Sequence, residues 1–287
     1  MLTTHYSLLA TRYSLLMTMH VHFLDPYQEG VSPIHRLDAR VKLVLALAFI
    51  LTVSLVPLAL WPIYLLLLAL ALSVEILSEI GMIRVLRKSS LALIFVLAAL
   101  PLVFMSGGEA LFVVPLGPVG GLTIFEPGLE RFASIALKSW ISVQIAIVLA
   151  STTPFPDLLM AMRSIKIPRL LISIVGLMWR YLFVMADEAQ RLMRAREARS
   201  GQSGRGGGKA GGSIAWRARV TGGMAGNLFL RSFERGDRIY SAMAARGYTG
   251  EVRTMSRPSV KPSQWIVLTF GLLLLASLLA LSYLLRL

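Results

Sequence analysis

Cysteine is absent from the 287 residues, which excludes disulfides, thiolate metal sites and a cysteine nucleophile. Histidine is scarce: there are four, all before residue 36. The body of the chain therefore holds no Ser/His/Asp constellation. The apolar stretches carry neither paired aspartates nor a histidine-plus-acid motif of the intramembrane protease kind. Charge is thin as well, at 15% of residues against roughly 25% in soluble domains. With 56% of residues hydrophobic, the composition excludes a soluble globular chain and predicts an integral membrane protein.

The charge that is present has one sign and one address. Of the formal net +14, most sits in 152–260, which holds 18 Lys and Arg against 7 Asp and Glu. Positive residues collect on the cytoplasmic side of membrane proteins, so 152–260 reads as a large cytoplasmic region. Conversely, 107–128 contains no Lys or Arg and is rich in Gly and Pro, which places it outside. Its segment 113–124 fits a short hairpin over the outer mouth, with Pro115 and Pro118 restricting strand pairing.

The apolar run 41–77 is too long for one crossing of a core about 30 Å thick. Pro57 and Pro62 divide it into helices near 41–56 and 61–78. Further spans are expected at about 89–105, with Pro101 as a kink, at 128–151 and at 265–285. Hence the predicted fold class is all-α: a polytopic membrane protein of about five transmembrane helices with long cytoplasmic helices. Its regions are an N-terminal tail and basic segment (1–40), a four-helix transmembrane region (41–151), the basic region (152–260) and a C-terminal span (261–287). The first 24 residues repeat Tyr-Ser-Leu-Leu and carry no long apolar run. They read as a tail, or as upstream sequence with Met17 and Met19 as later starts. His20 and His22, without other donors nearby, make a weak metal site. In the 128–151 span Lys138 is an intramembrane cation. It either meets a partner helix or an internal acid, or it snorkels or reaches a backbone carbonyl.

Within the basic region one stretch occurs twice. Residues 187–200 return 47 positions later as 234–247, sharing an acid (Asp187, Glu234) and an arginine four residues on (Arg191, Arg238). The copies then share alanines (Ala198, Ala245), a terminal arginine (Arg199, Arg246) and a small last residue (Ser200, Gly247). An acid four residues before a base favours a helix by roughly 0.3 kcal/mol, and a terminal glycine stops one. Each copy thus reads as a helix that ends by presenting an arginine. Helix 169–199 has an apolar stripe in its first half and is expected to lie at the membrane interface. In helix 214–246, Phe229, Phe233, Gly236, Tyr240 and Met243 share one apolar face. Between the two copies, 201–212 is a Gly/Ser linker. It fails the phosphate-loop spacing, since Ala210 follows Lys209 and Ser203 stands where glycine is needed. Arginines interleaved with helix-periodic apolar residues, not with stacking aromatics, argue against nucleic acid. No cofactor is called for.

Ser32-Pro-Ile-His-Arg-Leu-Asp-Ala-Arg-Val-Lys, Thr153-Pro-Phe-Pro-Asp-Leu-Leu, Arg180-Tyr-Leu, Ala198-Arg-Ser and Ala245-Arg-Gly, in this order, resemble the transmembrane T component of energy-coupling factor importers. The segment Arg231-Ser-Phe-Glu-Arg-Gly-Asp-Arg-Ile-Tyr-Ser-Ala-Met is more similar to the cobalt branch, the CbiQ proteins. Departures are Ser200 in the first signature, Ala39 where proline is frequent, and the unusually Gly-rich linker. The resemblance implies a multi-pass, non-catalytic subunit of a bacterial or archaeal cell membrane. It would pass the ATP-driven motion of a pair of ATP-binding cassette ATPases to a substrate-binding membrane subunit. The signatures at Ala198, Arg199, Ser200, Ala245, Arg246 and Gly247 would dock on the ATPases, supported by Asp187, Arg191, Glu234 and Arg238. The cargo would be cobalt, with nickel or a vitamin as alternatives; a stand-alone secondary permease is the competing class.

Overall fold

The computed structural model describes residues 26–91, 93–105, 110–115, 121–199, 213–250 and 260–285. The N-terminal tail with His20 and His22, Ser200, and the linker 201–212 lie outside the described residues. What is described falls into two compact units, 26–165 with 260–285, and 166–250.

The first unit is a bundle of apolar helices. Helix α1 (Ala39–Leu55) starts at Asp38, whose carboxylate accepts the Arg40 N–H at 2.9 Å, an N-cap. It stops before Pro57, which cannot continue the hydrogen-bond ladder. Helix α2 (Trp61–Ser78) begins with Pro62 in its first turn and ends at Glu79 in the left-handed region, φ 57°. Between them the Tyr64 hydroxyl donates to the Pro57 carbonyl at 2.6 Å, closing the turn from inside.

The next apolar segment, expected to cross, is broken, and none of its pieces is long enough to span by itself. Where one helix was expected over 89–105, the chain forms α3 (Met82–Ser90), α4 (Leu93–Val96), a 3₁₀ turn (Leu97–Ala99) and α5 (Pro101–Met105). The physical reasons are local. Ser89 and Ser90 turn their hydroxyls back onto the carbonyls of Leu86 and Arg87, at 3.0 and 2.8 Å, and Pro101 lacks an N–H. Strands β1 (Ala110–Pro115) and β2 (Gly121–Phe125) then pair antiparallel, with Val114 opposite Leu122. The expected hairpin exists, and Pro115 is confined to its end.

Helix α6 (Glu126–Thr152) is the centre of the unit, packing on α1, α2, α3 and α5. Trp140 Nε1 donates to Ser89 Oγ at 3.0 Å. Gly128 lies so close to α5 that a Cβ there would sit 2.7 and 2.8 Å from the carbonyl oxygens of Leu102 and Val103. Those two contacts put the broken segment antiparallel to α6 along its length. Helix α7 (Phe155–Ser164) follows, with Asp157 in its first turn and Arg163 in its last, both complementing the helix dipole. It packs on α1 and belongs to this compact unit, whose first segment ends at Ile165. Helix α10 (Pro262–Leu284) runs parallel to α1: Gln264 Nε2 donates to the Arg36 carbonyl and the Tyr283 hydroxyl to that of Leu55, both at 3.4 Å.

Lipid tails are as apolar as leucine, so helices in a bilayer associate through close packing, often at small residues. The interior matches this: Val53, Tyr64, Leu67, Ala71 and Ile141 are fully buried, alongside Ser78, Ser89 and Ser134.

The second unit holds α8 (Arg169–Arg199) and α9 (Ile214–Ala245). Four described helices are long and apolar enough to cross a membrane by length and composition: α2, α6, α8 and α10. Helix α8 joins this set although its stripe was expected to lie at the interface. Helix α1, with 17 residues, spans about 26 Å.

Candidate functional site

Helices α8 and α9 form an antiparallel pair. Arg196 donates to Thr221 Oγ1 at 3.1 Å, Arg231 pairs with Glu188 at 2.7 Å, and the Ser232 hydroxyl meets Met185 Sδ at 2.8 Å. As the partner position falls from 196 to 185 on α8, it rises from 221 to 232 on α9. The seam on α9 is the half-buried stripe Met224, Leu228, Ser232, Arg235, Ile239 and Met243, at the three- and four-residue steps of a two-helix contact. The charged contact thus runs between helices. Among the described residues, no ion pair joins Asp187 to Arg191 or Glu234 to Arg238 within one helix.

Antiparallel pairing separates the two arginine-bearing ends. Arg199 is the last residue of α8, level with the start of α9, whereas Arg246 follows the far end of α9. At about 1.5 Å per residue the two ends lie about 40 Å apart. Ala198, Arg199, Ala245 and Arg246 are all exposed.

The second end is sharply defined. The Tyr248 N–H donates to the Met243 carbonyl and the Gly247 N–H to that of Ala244, both at 3.0 Å, with Gly247 at φ 78°. This is a Schellman motif. A Cβ on Gly247 would meet no atom within 4 Å, so the need for glycine comes from the backbone angle alone. Beyond the seam, the faces of both helices stay open. Phe229, Phe233 and Tyr240, predicted to share a face, are 69%, 63% and 64% exposed. Leu170, Leu171, Ile174 and Met178 on α8 are exposed as well.

In the first unit Lys138 resolves to one of its two readings. Its ammonium donates to the carbonyls of Ser54 and Val56, at 3.1 and 2.6 Å, and lies 5.9 Å from the Tyr64 ring centroid. These carbonyls close α1, where a helix has unpaired acceptors and partial negative charge. Lys42 does the converse: from the start of α1 it donates to the last carbonyl of α6, Thr152, at 2.9 Å, and to His35 at 3.4 Å. Each of the two antiparallel helices therefore caps the other's C-terminus with a lysine.

Sequence reasoning grouped Lys42 with the flanking basic cluster and missed this role. The available signal was its place between Val41 and Leu43 at the head of an apolar run. Around it the Ser32–Lys42 motif is structural. Ser32 Oγ bonds His35 Nδ1 at 2.6 Å, His35 Nε2 bonds the Gln28 carbonyl at 3.1 Å, and the Gln28 N–H donates to the Ser151 carbonyl at 2.9 Å. Also missed were Glu75, 2% exposed, and Gln144, fully buried. Their side-chain polar atoms have no hydrogen-bond partner among the described residues. A lone acid in an apolar helix was the signal for Glu75. Among the described residues no group of three or more His, Asp or Glu could hold a metal ion.

Comparison with known proteins gives the chain its relatives. The family described as cobalt transport protein, CbiQ, matches residues 30–257. The cobalt transport protein CbiQ of Rhodobacter capsulatus is 33% identical over 66% of this chain and 72% of its own length. The energy-coupling factor transporter transmembrane protein EcfT of Exiguobacterium sibiricum is 30% identical over 86% of this chain and 91% of its own. The nickel permease LarQ of Lactiplantibacillus plantarum is 33% identical over 37% of this chain and 36% of its own. The duplicated arginine ends, the lysine-capped helices and the basic motif at 32–42 all lie within the matched span, and the family is one of transporter membrane components and not of catalysts. On this match the chain belongs to the CbiQ family of cobalt transport proteins.

Proposed function

We propose that this chain is the transmembrane coupling subunit of an energy-coupling-factor importer, passing the motion of an ATPase pair to a substrate-binding membrane subunit. The observation that carries the reading is the placement of Arg199 and Arg246 at opposite ends of one antiparallel helix pair. A dimeric ATPase offers two equivalent sites at a distance from one another, and a pair of exposed ends about 40 Å apart suits it. Arginine suits the contact because its planar guanidinium stays charged and donates to carboxylates or carbonyls in a fixed fork. The alanine before each arginine keeps the helix end narrow enough for close approach. When the ATPases close on ATP, the helix ends would be drawn together, and the long helices would carry that displacement to the substrate subunit.

Cobalt is the cargo we assign, from the names of the family and of the Rhodobacter relative; the likeness to a nickel permease keeps nickel as the alternative. In this reading the metal is bound by the companion membrane subunit. The chain sits in a bacterial or archaeal cell membrane with the basic region 152–260 on the cytoplasmic side, α8 lying along the interface and not crossing. Reconstitution tests the assignment. Proteoliposomes holding the chain with its ATPases and substrate-binding subunit should take up radiolabelled cobalt on ATP, and those holding the chain alone should not. ATP-independent uptake by the chain alone would establish a secondary permease instead.

A further inference from the structure

The first unit holds a cavity of about 300 Å³ between α10 and the walls of α1, α2 and α6. Helix α10 is fastened mainly to α1, where Gly271 lets it approach Leu45 so closely that a Cβ would lie 2.7 Å from its Cδ2. It therefore stands off from α2 and α6, and a wedge remains. Phe49, Leu70, Val74, Phe270 and Leu274 are among the residues that line it; Lys42 and Thr152 mark one end, already bonded to each other. A water would need several polar partners that this wall lacks. A flexible hydrocarbon needs none, and filling the void restores contacts its lining otherwise forfeits.

The polar end of the cavity is basic. Ile34 and Leu37 close it; their loop also carries exposed Arg36, and the first turn of α1 carries half-exposed Arg40. Lys261, exposed, stands just before α10. Two acids stand at the same end: Asp38, which caps α1, and Asp157 in the first turn of α7. An apolar slot whose membrane-surface end carries Arg36, Arg40, Lys42 and Lys261 against two acids, Asp38 and Asp157, keeps a net positive charge there and matches a lipid with an anionic headgroup.

We propose that this cavity takes an acyl chain of an anionic phospholipid, whose phosphate is held at the basic end by Arg36, Arg40 and Lys261. The site fixes α10 against the bundle by filling the wedge behind it, and it does not depend on the coupling role.

The probe is the full chain in phosphatidylcholine vesicles doped with phosphatidylglycerol or phosphatidylcholine bearing a photoactivatable group in the acyl chain. The label is mapped by peptide analysis. Labelling should concentrate on Val74, Phe270 and Leu274. It should favour phosphatidylglycerol by about fivefold or more, the preference that one Lys or Arg near a membrane surface supplies. Leu274→Trp, which fills the slot, should remove that labelling. Arg36→Ala with Arg40→Ala and Lys261→Ala, all at the surface, should leave the labelled positions unchanged and abolish the preference. Equal labelling by the two lipids in the unaltered chain would overturn the proposal. So would label spread over the outward-facing Ile266 and Leu273 with none in the cavity, the pattern of bulk lipid or of a slot filled by protein.

Discussion

The two units use different helices in opposite ways: the first gathers many helices of at most 27 residues, its long ones strongly apolar, and the second pairs two of 31 and 32 residues in which apolar and charged residues are mixed. Around α6 the side chains of Val53, Tyr64, Leu67 and Ile141 are wholly enclosed, and even helix ends are closed by lysines from neighbouring helices. Helices α8 and α9 bury no residue at all. They touch along one seam and leave Phe229, Phe233 and Tyr240 in the open. An apolar residue is enclosed only if enough neighbours surround it, and a two-helix pair has one neighbour per helix. The bundle is thus stabilised by its own packing. The helix pair has open faces and open ends that other protein or lipid would have to cover.

That contrast can be broken or sharpened by substitution, beginning with the largest expected effect. Replacing Arg199 and Arg246 together by alanine should abolish ATP-driven uptake while leaving the detergent melting temperature unchanged, because both side chains are exposed. Either single change should lower uptake partially. In the bundle, Gly128→Val should fail differently. A side chain there meets the backbone of α5 at under 3 Å, so thermal unfolding in detergent should shift down by several degrees, and yield should fall with it. Lys138→Met leaves the carbonyls of Ser54 and Val56 without their donor and should cost about 1–3 kcal/mol, measured by denaturant titration in mixed micelles. The smallest effect belongs to Gly247→Ala. Forcing a Cβ into φ 78° should destabilise the end of α9 by about 1 kcal/mol. It should show as faster amide exchange at Tyr248 and a modest loss of uptake, with the bundle untouched.

What could be read from the chain itself divides along the same line. The end at Arg246 was legible because a helix stop is a local event: Ala245, Arg246 and Gly247 specify it within one turn, whereas Ser200, the expected stop of the other copy, lies outside the described residues. The membrane crossings were legible wherever proline punctuates an apolar run, as at Pro57 and Pro62. The third apolar segment was not legible in full, since Pro101 announced one break but the serine back-bonds at Ser89 and Ser90 depend on rotamers. Lys138 was visible as an anomaly; its partners were not, because the carbonyls it bonds lie more than eighty residues away in the chain. Phe229, Phe233 and Tyr240 do share a face, but Met243, expected on it, lies at its edge in the half-buried seam. The exposure of that face could not be foreseen, for periodicity shows where an apolar stripe lies and not what covers it.

The central claim is that the two helix ends hold the ATPases. Affinity purification of the tagged chain from lipid nanodiscs, with its partner subunits co-expressed, tests it most directly. The unaltered chain should bring down an ATPase pair and a substrate-binding membrane subunit. The Arg199→Ala, Arg246→Ala chain should retain the membrane subunit and lose the ATPases. Full recovery of the ATPases with the doubly substituted chain, or repeated recovery of the unaltered chain alone, would contradict the account.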